Sequence, residues 1–259
     1  MGTLHLVAGG MSAVISMASV GKTFGDLRVL GDVSADIGAA EFVSVLGPSG
    51  CGKSTLLRLI AGLTSFEDGS MRFNGAEVTT PAPEMGFVFQ TSNLLPWLTV
   101  RDNLLLGVDL DAAVQRPSDA AFAELVETLG LTGFEASHPH QLSGGMRHRV
   151  AIGQALARNP QVLLMDEPFG ALDALTRDRL NMELLRIWQR DRKTVVLVTH
   201  SISEAVLLSD RVLVMSERPG TIVEDVRIDL PRPRDPSVTR EDPAFGDYVV
   251  RLSKLMGVS

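Results

Sequence analysis

Through the early part of the chain apolar positions alternate with polar ones or run unbroken over short spans, which predicts strands at 13–20, 27–37, 41–46 and 71–73. Asn74-Gly75, directly after the last of these, is the sequence of a tight hairpin turn, and a further short apolar run occupies 85–90. From Leu94 to Ala157 the spacing becomes helical; in 118–129, Phe122, Leu125, Val126 and Leu129 share one face and Gly130 ends it. Asn159-Pro160 closes this helical stretch, and apolar runs return at 162–165 and 194–199, with a helix through 180–189 between them. Buried-type strands alternating with helices predict a parallel sheet. Residues 231–243, rich in proline and charge, predict a linker to a short amphipathic helix carrying Tyr248, Val249, Leu252 and Leu255, and no internal repeat is visible.

At 259 residues the chain can bury a sizeable core. The expected organisation is an N-terminal extension (1–12), one large α/β domain (13–230) with a helical insert at about 91–160, and a C-terminal linker and helix (231–259). A formal net charge of −7 argues against a broad electrostatic surface for nucleic acid. The single cysteine, Cys51, leaves no internal disulfide, so a reducing compartment is expected. The chain has no run of roughly 18 apolar residues, the length of a membrane span. Its first 21 residues lack formal charge, but there is no basic leader and Gly9-Gly10 interrupts the apolar run. A cleaved signal is therefore not expected, and Met11 is an alternative start.

Gly47-Pro48-Ser49-Gly50-Cys51-Gly52-Lys53-Ser54-Thr55 fits the P-loop pattern, entered by an apolar strand and left by a helix with Leu56, Leu57, Leu59 and Ile60. Glycines let backbone N–H groups ring a phosphate, and the helix N-terminus adds partial positive charge. Lys53 is expected to reach the β and γ phosphates of ATP, and the Ser54 hydroxyl to bind Mg²⁺. Downstream, Val162–Met165 runs into Asp166-Glu167, at the edge where open parallel sheets place ligands. Asp166 suits the Mg²⁺ shell and Glu167 the orientation of an attacking water. Gln90, after Phe87-Val88-Phe89, and His200, after Val195–Thr199, also fall at strand ends and fit the same site.

A second anion-like site appears at Gln141-Leu142-Ser143-Gly144-Gly145-Met146-Arg147-His148-Arg149. Ser143 is a good N-cap, but the first helical turns carry basic residues and no carboxylate, against the usual preference at a helix N-terminus. Either an anion from outside resolves this, or the basic side chains turn to solvent.

Leu142-Ser143-Gly144-Gly145-Met146 resembles the signature motif of ABC transporter ATPases. The other elements follow in that family's order: P-loop, Gln90, signature, Asp166-Glu167, the Ala171-Leu172-Asp173 loop and His200. The resemblance covers nearly all of the chain beyond residue 13. It implies an α/β P-loop NTPase of ABC type, with a mixed sheet core, an N-terminal antiparallel β part and a helical insert. It also implies a head-to-tail dimer of two copies, in which Ser143, Gly144 and Gly145 bind the γ-phosphate held by the partner and Asp173 bridges across. Gln90 then serves both the metal and the reacting water, His200 contacts the γ-phosphate, and Phe24 stands where an adenine-stacking tyrosine is usual.

Gly86–Gln90 with Leu94–Asn103, then Asp166–Arg177, then Ser216–Gly220, resemble the nitrate/sulfonate/taurine importer branch. This implies an ATP-hydrolysing subunit on the cytoplasmic face of the membrane, peripheral to transmembrane permease subunits and working with a solute-binding protein on a small anion. No nucleic-acid partner is expected. A soluble ABC-type ATPase acting on DNA or the ribosome is the alternative, although the chain has neither a long coiled-coil insert nor two cassettes. Three positions depart from the family pattern: Met146 for glutamine, Ser201 for aspartate after the histidine, and Gln154 where arginine is frequent. None removes a phosphate, metal or water ligand.

Overall fold

The computed structural model describes residues 13–111, 114–170 and 172–257; the expected extension at 1–12 and Ala171 lie outside the described residues. The strands β1 (Ala13–Phe24) and β2 (Leu27–Gly38) form an antiparallel pair. β1 runs beyond the expected 13–20 because its register shifts between Met17 and Lys22, where Ser19 takes a positive φ of 52° and the apolar alternation breaks down. β3 (Phe42–Leu46) leads through the P-loop into α1 (Lys53–Ile60). β4 (Asp68–Phe73) turns through Asn74-Gly75 into β5 (Ala76–Glu77), the hairpin expected from that dipeptide. These build one four-stranded antiparallel sheet in the order β2-β1-β4-β5.

The second sheet joins β3 to β6 (Met85–Val88), β7 (Val162–Asp166), β8 (Thr194–Val198), β9 (Arg211–Met215) and β10 (Ile222–Arg227), in the order β10-β9-β3-β8-β7-β6. All its neighbours pair in parallel except β10 with β9. Between β6 and β7 lies the helical stretch: α2 (Val100–Asp109), α3 (Asp119–Thr128), a 3₁₀ turn at Pro139–Gln141, and α4 (Gly144–Leu156). α5 (Ala174–Asp191) begins six residues before the expected 180. Asp173 caps it and its first turns are polar, so the apolar period is legible only from Leu180. α6 (Ile202–Leu208), β9 and β10 fill a stretch whose pattern predicts no particular element.

Period-two alternation on the central strands sorts the core into two halves. Phe42, Leu46, Leu163, Met165, Val195 and Leu197 face one cluster, which holds the apolar sides of α2 to α6. Val43, Val45, Val162, Leu164, Val196 and Val198 face the other, where α1 is packed between the two sheets. Full burial of both faces accounts for the unbroken apolar runs in these strands.

The stretch expected as a linker is instead pinned to the core. It contains α7 (Pro236–Thr239) and leads to α8 (Pro243–Leu255), whose Leu252 is fully buried. Arg234, 3% exposed, donates through Nη1 to the carbonyls of Val206, Leu207 and Ser209 and through Nη2 to those of Ile228 and Leu230. It supplies a cation at the C-terminal end of α6, where helix carbonyls lack partners. Burial pushes its pKa down to about 10. Arg232 holds Asp210 at 2.7 Å and lies over Trp188, 4.1 Å from the ring centroid. Arg234→Met should lower the free energy of unfolding by roughly 3 kcal/mol in urea melts, since it strands several buried carbonyls. A loss below about 1 kcal/mol would show that the brace is energetically idle.

Candidate active site

Parallel pairing places the ends of four strands on one edge. Val88 pairs with Met165, Asp166 with Val198, and Val198 with Val45, so the residues that follow β6, β7, β8 and β3 emerge side by side. Those residues are Gln90, Glu167, His200 and Gly47, four of the groups picked out in the sequence. Gln90 is exposed, two residues past the end of β6, which stops at Val88 rather than reaching it.

The P-loop wraps the N-terminus of α1. Gly52 is its N-cap with φ 108°, and a Cβ there would stand 2.6 Å from the Leu30 Cδ2 of β2. Both the left-handed backbone and the contact demand glycine. Lys53 is buried and its ammonium donates to the Gly47 and Pro48 carbonyls at 2.7 and 2.9 Å. It therefore already lies across the loop whose amides form the anion cradle. Ser49 and Thr55 complete the loop, and Cys51 is buried within it. Sequence reasoning missed one supporting residue, Arg218, which grips the Gly50 carbonyl through Nη2 at 2.6 Å and Nε at 3.0 Å. Its side chain arrives from beyond β9, and no spacing signal in the sequence ties the two segments together.

Ser54 Oγ donates to Asp166 Oδ1 at 2.7 Å, joining the end of the cradle to the end of β7. One hydroxyl and one carboxylate at the mouth of a phosphate loop suit Mg²⁺, which takes few protein ligands and completes its shell from water and phosphate. Burial raises the Asp166 pKa above the usual carboxylate range, opposed chiefly by the Ser54 hydrogen bond. Glu167 follows with φ 45°, uncommon for a residue bearing a Cβ, and is held there by Glu167 N donating to Val198 O at 2.9 Å. Its Oε2 lies 3.1 Å from His200 Nδ1. Acid and histidine thus meet across the strand ends, beside Ser54 and Asp166.

Phe24 is half-exposed on the β1–β2 hairpin, its ring under the Lys22 ammonium at 4.9 Å. In the second anion-like segment the basic turn has partners within the chain. Arg147 Nη1 donates to Leu142 O at 2.6 Å, Arg149 pairs with Glu183 of α5 at 3.2 Å, and His148 Nδ1 lies 3.0 Å from Gly144 O. Arg147 and Arg149 are thus half-buried and bonded within the chain, and His148 is buried. Ser143 does cap α4, accepting from Met146 N at 3.2 Å. Gly145 packs so closely that a Cβ would approach Thr176 Cγ2 at 2.9 Å, tying the segment to the first turn of α5. There Asp173 accepts from Thr176 N at 3.0 Å, and its hydrogen bonds to Thr176 hold its carboxyl below the usual range. Among the described residues, no hydrogen bond or ion pair joins 143–146 to 47–55.

Comparison with known proteins settles what this edge belongs to: residues 30–170 match the ABC transporter family. The chain belongs to that family. It is 49% identical over 209 residues to an uncharacterised ABC transporter ATP-binding protein of Methanocaldococcus jannaschii, covering 81% of this chain and 78% of the relative. Against the aliphatic sulfonates import ATP-binding protein of Bacillus subtilis it is 48% identical over 208 residues, 80% of each chain. A solved dimeric bacterial ABC transporter cassette superposes with a TM-score of 0.72 at 32% identity, covering 83% of this chain and 98% of that one. This ABC ATPase binds ATP and hydrolyses it, and its two-sheet architecture is the ABC form of the P-loop fold.

The raised pKa of Asp166 has a consequence for stability. A carboxyl whose folded pKa exceeds its unfolded value binds its proton more tightly in the fold, so ionisation subtracts stability as pH rises through that interval. At neutral pH, Asp166→Asn should therefore raise the melting temperature of the nucleotide-free protein while ATP hydrolysis collapses. A melting temperature at or below that of the parent would contradict this.

Proposed function

We propose that the chain is the nucleotide-binding subunit of an importer for a small anion of the sulfonate class. In this reading it works as a head-to-tail dimer, peripheral to the cytoplasmic face of a membrane, beneath transmembrane permease subunits that receive solute from a binding protein. The observation that carries the reading is the meeting of Ser54 with Asp166 and of Glu167 with His200 at one sheet edge, beside the P-loop. Likeness to an aliphatic sulfonates import protein supports the solute class. The ATP-handling domain spans 13–230, with 91–160 as its helical subdomain; the segment from 231 braces α6.

The backbone amides of Gly47–Thr55 surround the phosphates, and Lys53, already lying on the loop carbonyls, turns its ammonium to the β and γ groups. Ser54 and Asp166, with Gln90, would hold Mg²⁺, which would supply positive charge to the phosphate oxygens. Glu167 orients water for in-line attack and takes its proton, and His200 contacts the γ-phosphate. Phe24 offers its exposed ring to the adenine. Ser143, Gly144 and Gly145 of the second copy close over the γ-phosphate, and Asp173 bridges the two copies. The isolation of this segment from its own P-loop supports a role in trans. Hydrolysis releases the closed dimer, and the motion passes to the permease through the groove between the Gln90 segment and the helical insert.

Reconstituted into vesicles with its permease and binding protein, the subunit should hydrolyse ATP faster when a sulfonate is supplied. Stimulation by DNA or ribosomes instead would favour the soluble alternative. Glu167→Gln should cut turnover by about a hundredfold or more and accumulate an ATP-bound dimer, the scale of a lost general base; near-normal turnover would overturn the role. Mixed Lys53→Ala and Ser143→Arg subunits should regain hydrolysis, because one composite site is then intact. A mixture as inactive as either parent argues against sharing in trans.

A further inference from the structure

Glu204 has no part in the reaction described above, yet it is 5% exposed and lies directly behind the reacting edge. It lines a small enclosed space with Glu167, Arg177, Thr199 and His200. Burying a carboxyl is costly unless its surroundings compensate. Its sequence setting, three residues after the N-cap Ser201, predicts a local task, namely accepting the Ser201 N–H in a capping box. The structure gives that N–H to Thr199 Oγ1 instead, at 3.0 Å. The Glu204 carboxyl instead has Thr199 and Asn181 of α5 as its polar neighbours.

Two tethers converge on this group. Thr199 immediately precedes His200, and its backbone N–H donates to Val45 O of β3 at 3.3 Å. Arg177, which lines the same small space as Glu204, donates through Nη2 to Leu172 O at 2.9 Å and through Nε to Phe169 O at 3.4 Å, gripping the segment that follows Glu167. Glu204 therefore sits between the supports of the two side chains that meet at 3.1 Å, Glu167 and His200. We propose that Glu204 is a positioning residue that holds His200 against Glu167, through Thr199 on one side and Arg177 with the Phe169–Leu172 segment on the other.

Its protonation fits this task. Glu204 Oε1 and Asn181 Oδ1 are both buried without a hydrogen-bond partner, on neighbouring side chains. Burial pushes the Glu204 pKa up, the direction that favours the neutral acid, and a proton on the carboxyl would let it pair with the Asn181 amide. Glutamine can imitate a neutral acid here, whereas alanine releases Thr199 and Asn181 together.

The inference rests on the roles read for Glu167 and His200, so His200→Ala is measured alongside. Steady-state ATP hydrolysis by the full chain should lose about tenfold or more in kcat for Glu204→Ala, with KM for ATP within about twofold, the signature of misplaced reacting groups. Glu204→Gln should restore kcat to within about threefold of the parent. Thr199→Val, which keeps shape and removes the hydroxyl tether, should lose about fivefold in kcat and serves as the decisive variant if Glu204→Ala does not fold. Melting temperatures separate rate from folded fraction. Unchanged kcat per folded site in Glu204→Ala or Thr199→Val, or a Gln variant as slow as the Ala variant, overturns the proposal when His200→Ala is inactive. A His200→Ala enzyme with normal kcat instead overturns the role of His200 itself, and the positioning role with it.

Discussion

The parallel pairing of β6, β7, β8 and β3 is the constraint on which the rest depends. Each strand is short and apolar on both faces, so register and direction are fixed by burial on both sides of the sheet. Once the four strands run the same way, their final residues share an edge, and the polar groups that follow them meet without any long-range design of loops. The two helices on either side of this edge are fixed by the same packing: α1 between the sheets, α5 against the opposite face. Asp166 reaches Ser54 because β7 and α1 are both anchored in the core, which is also why its charge is costly to keep there.

Arginines do most of the bracing around this core. Arg218 steadies the P-loop from outside, Arg177 steadies the segment after Glu167, and Arg234 closes the end of α6. In each case the partner is a backbone carbonyl, for which the five-donor guanidinium fork is well suited. Arg147 follows the same habit with Leu142, while Arg149 pairs with the Glu183 carboxylate, so the basic turn at the start of α4 also braces the fold.

Much of the fold was legible in the sequence because apolar period and turn chemistry coincide there: β3, β7 and β8, the Asn74-Gly75 hairpin, and α3. The P-loop, Asp166, Glu167, His200 and Ser143 could be placed because each sits where an apolar run or a cap signal changes abruptly. What stayed hidden depends on contacts between distant segments. The long β1 is disguised by its bulges, and α5 begins under polar cover before its apolar face starts. Residues 231–243 look like solvent-exposed chain because proline and charge dominate, yet the half-buried Arg232 and the buried Arg234 bond carbonyls that sequence spacing cannot reveal. Arg218 and Glu204 belong to the same class: their neighbours are supplied by tertiary structure alone.

The near-contact of Gly145 with Thr176 carries a further meaning. With no room between the start of α4 and the start of α5, the Ser143–Gly145 finger and the Asp173 cap form one stiff lever, fastened to the Glu167 segment at its base. In the head-to-tail pair proposed above, whatever displaces that base after one nucleotide is spent would also tilt the finger lent to the other nucleotide. Each copy would then feel the chemical state of its twin through a lever only a few residues long.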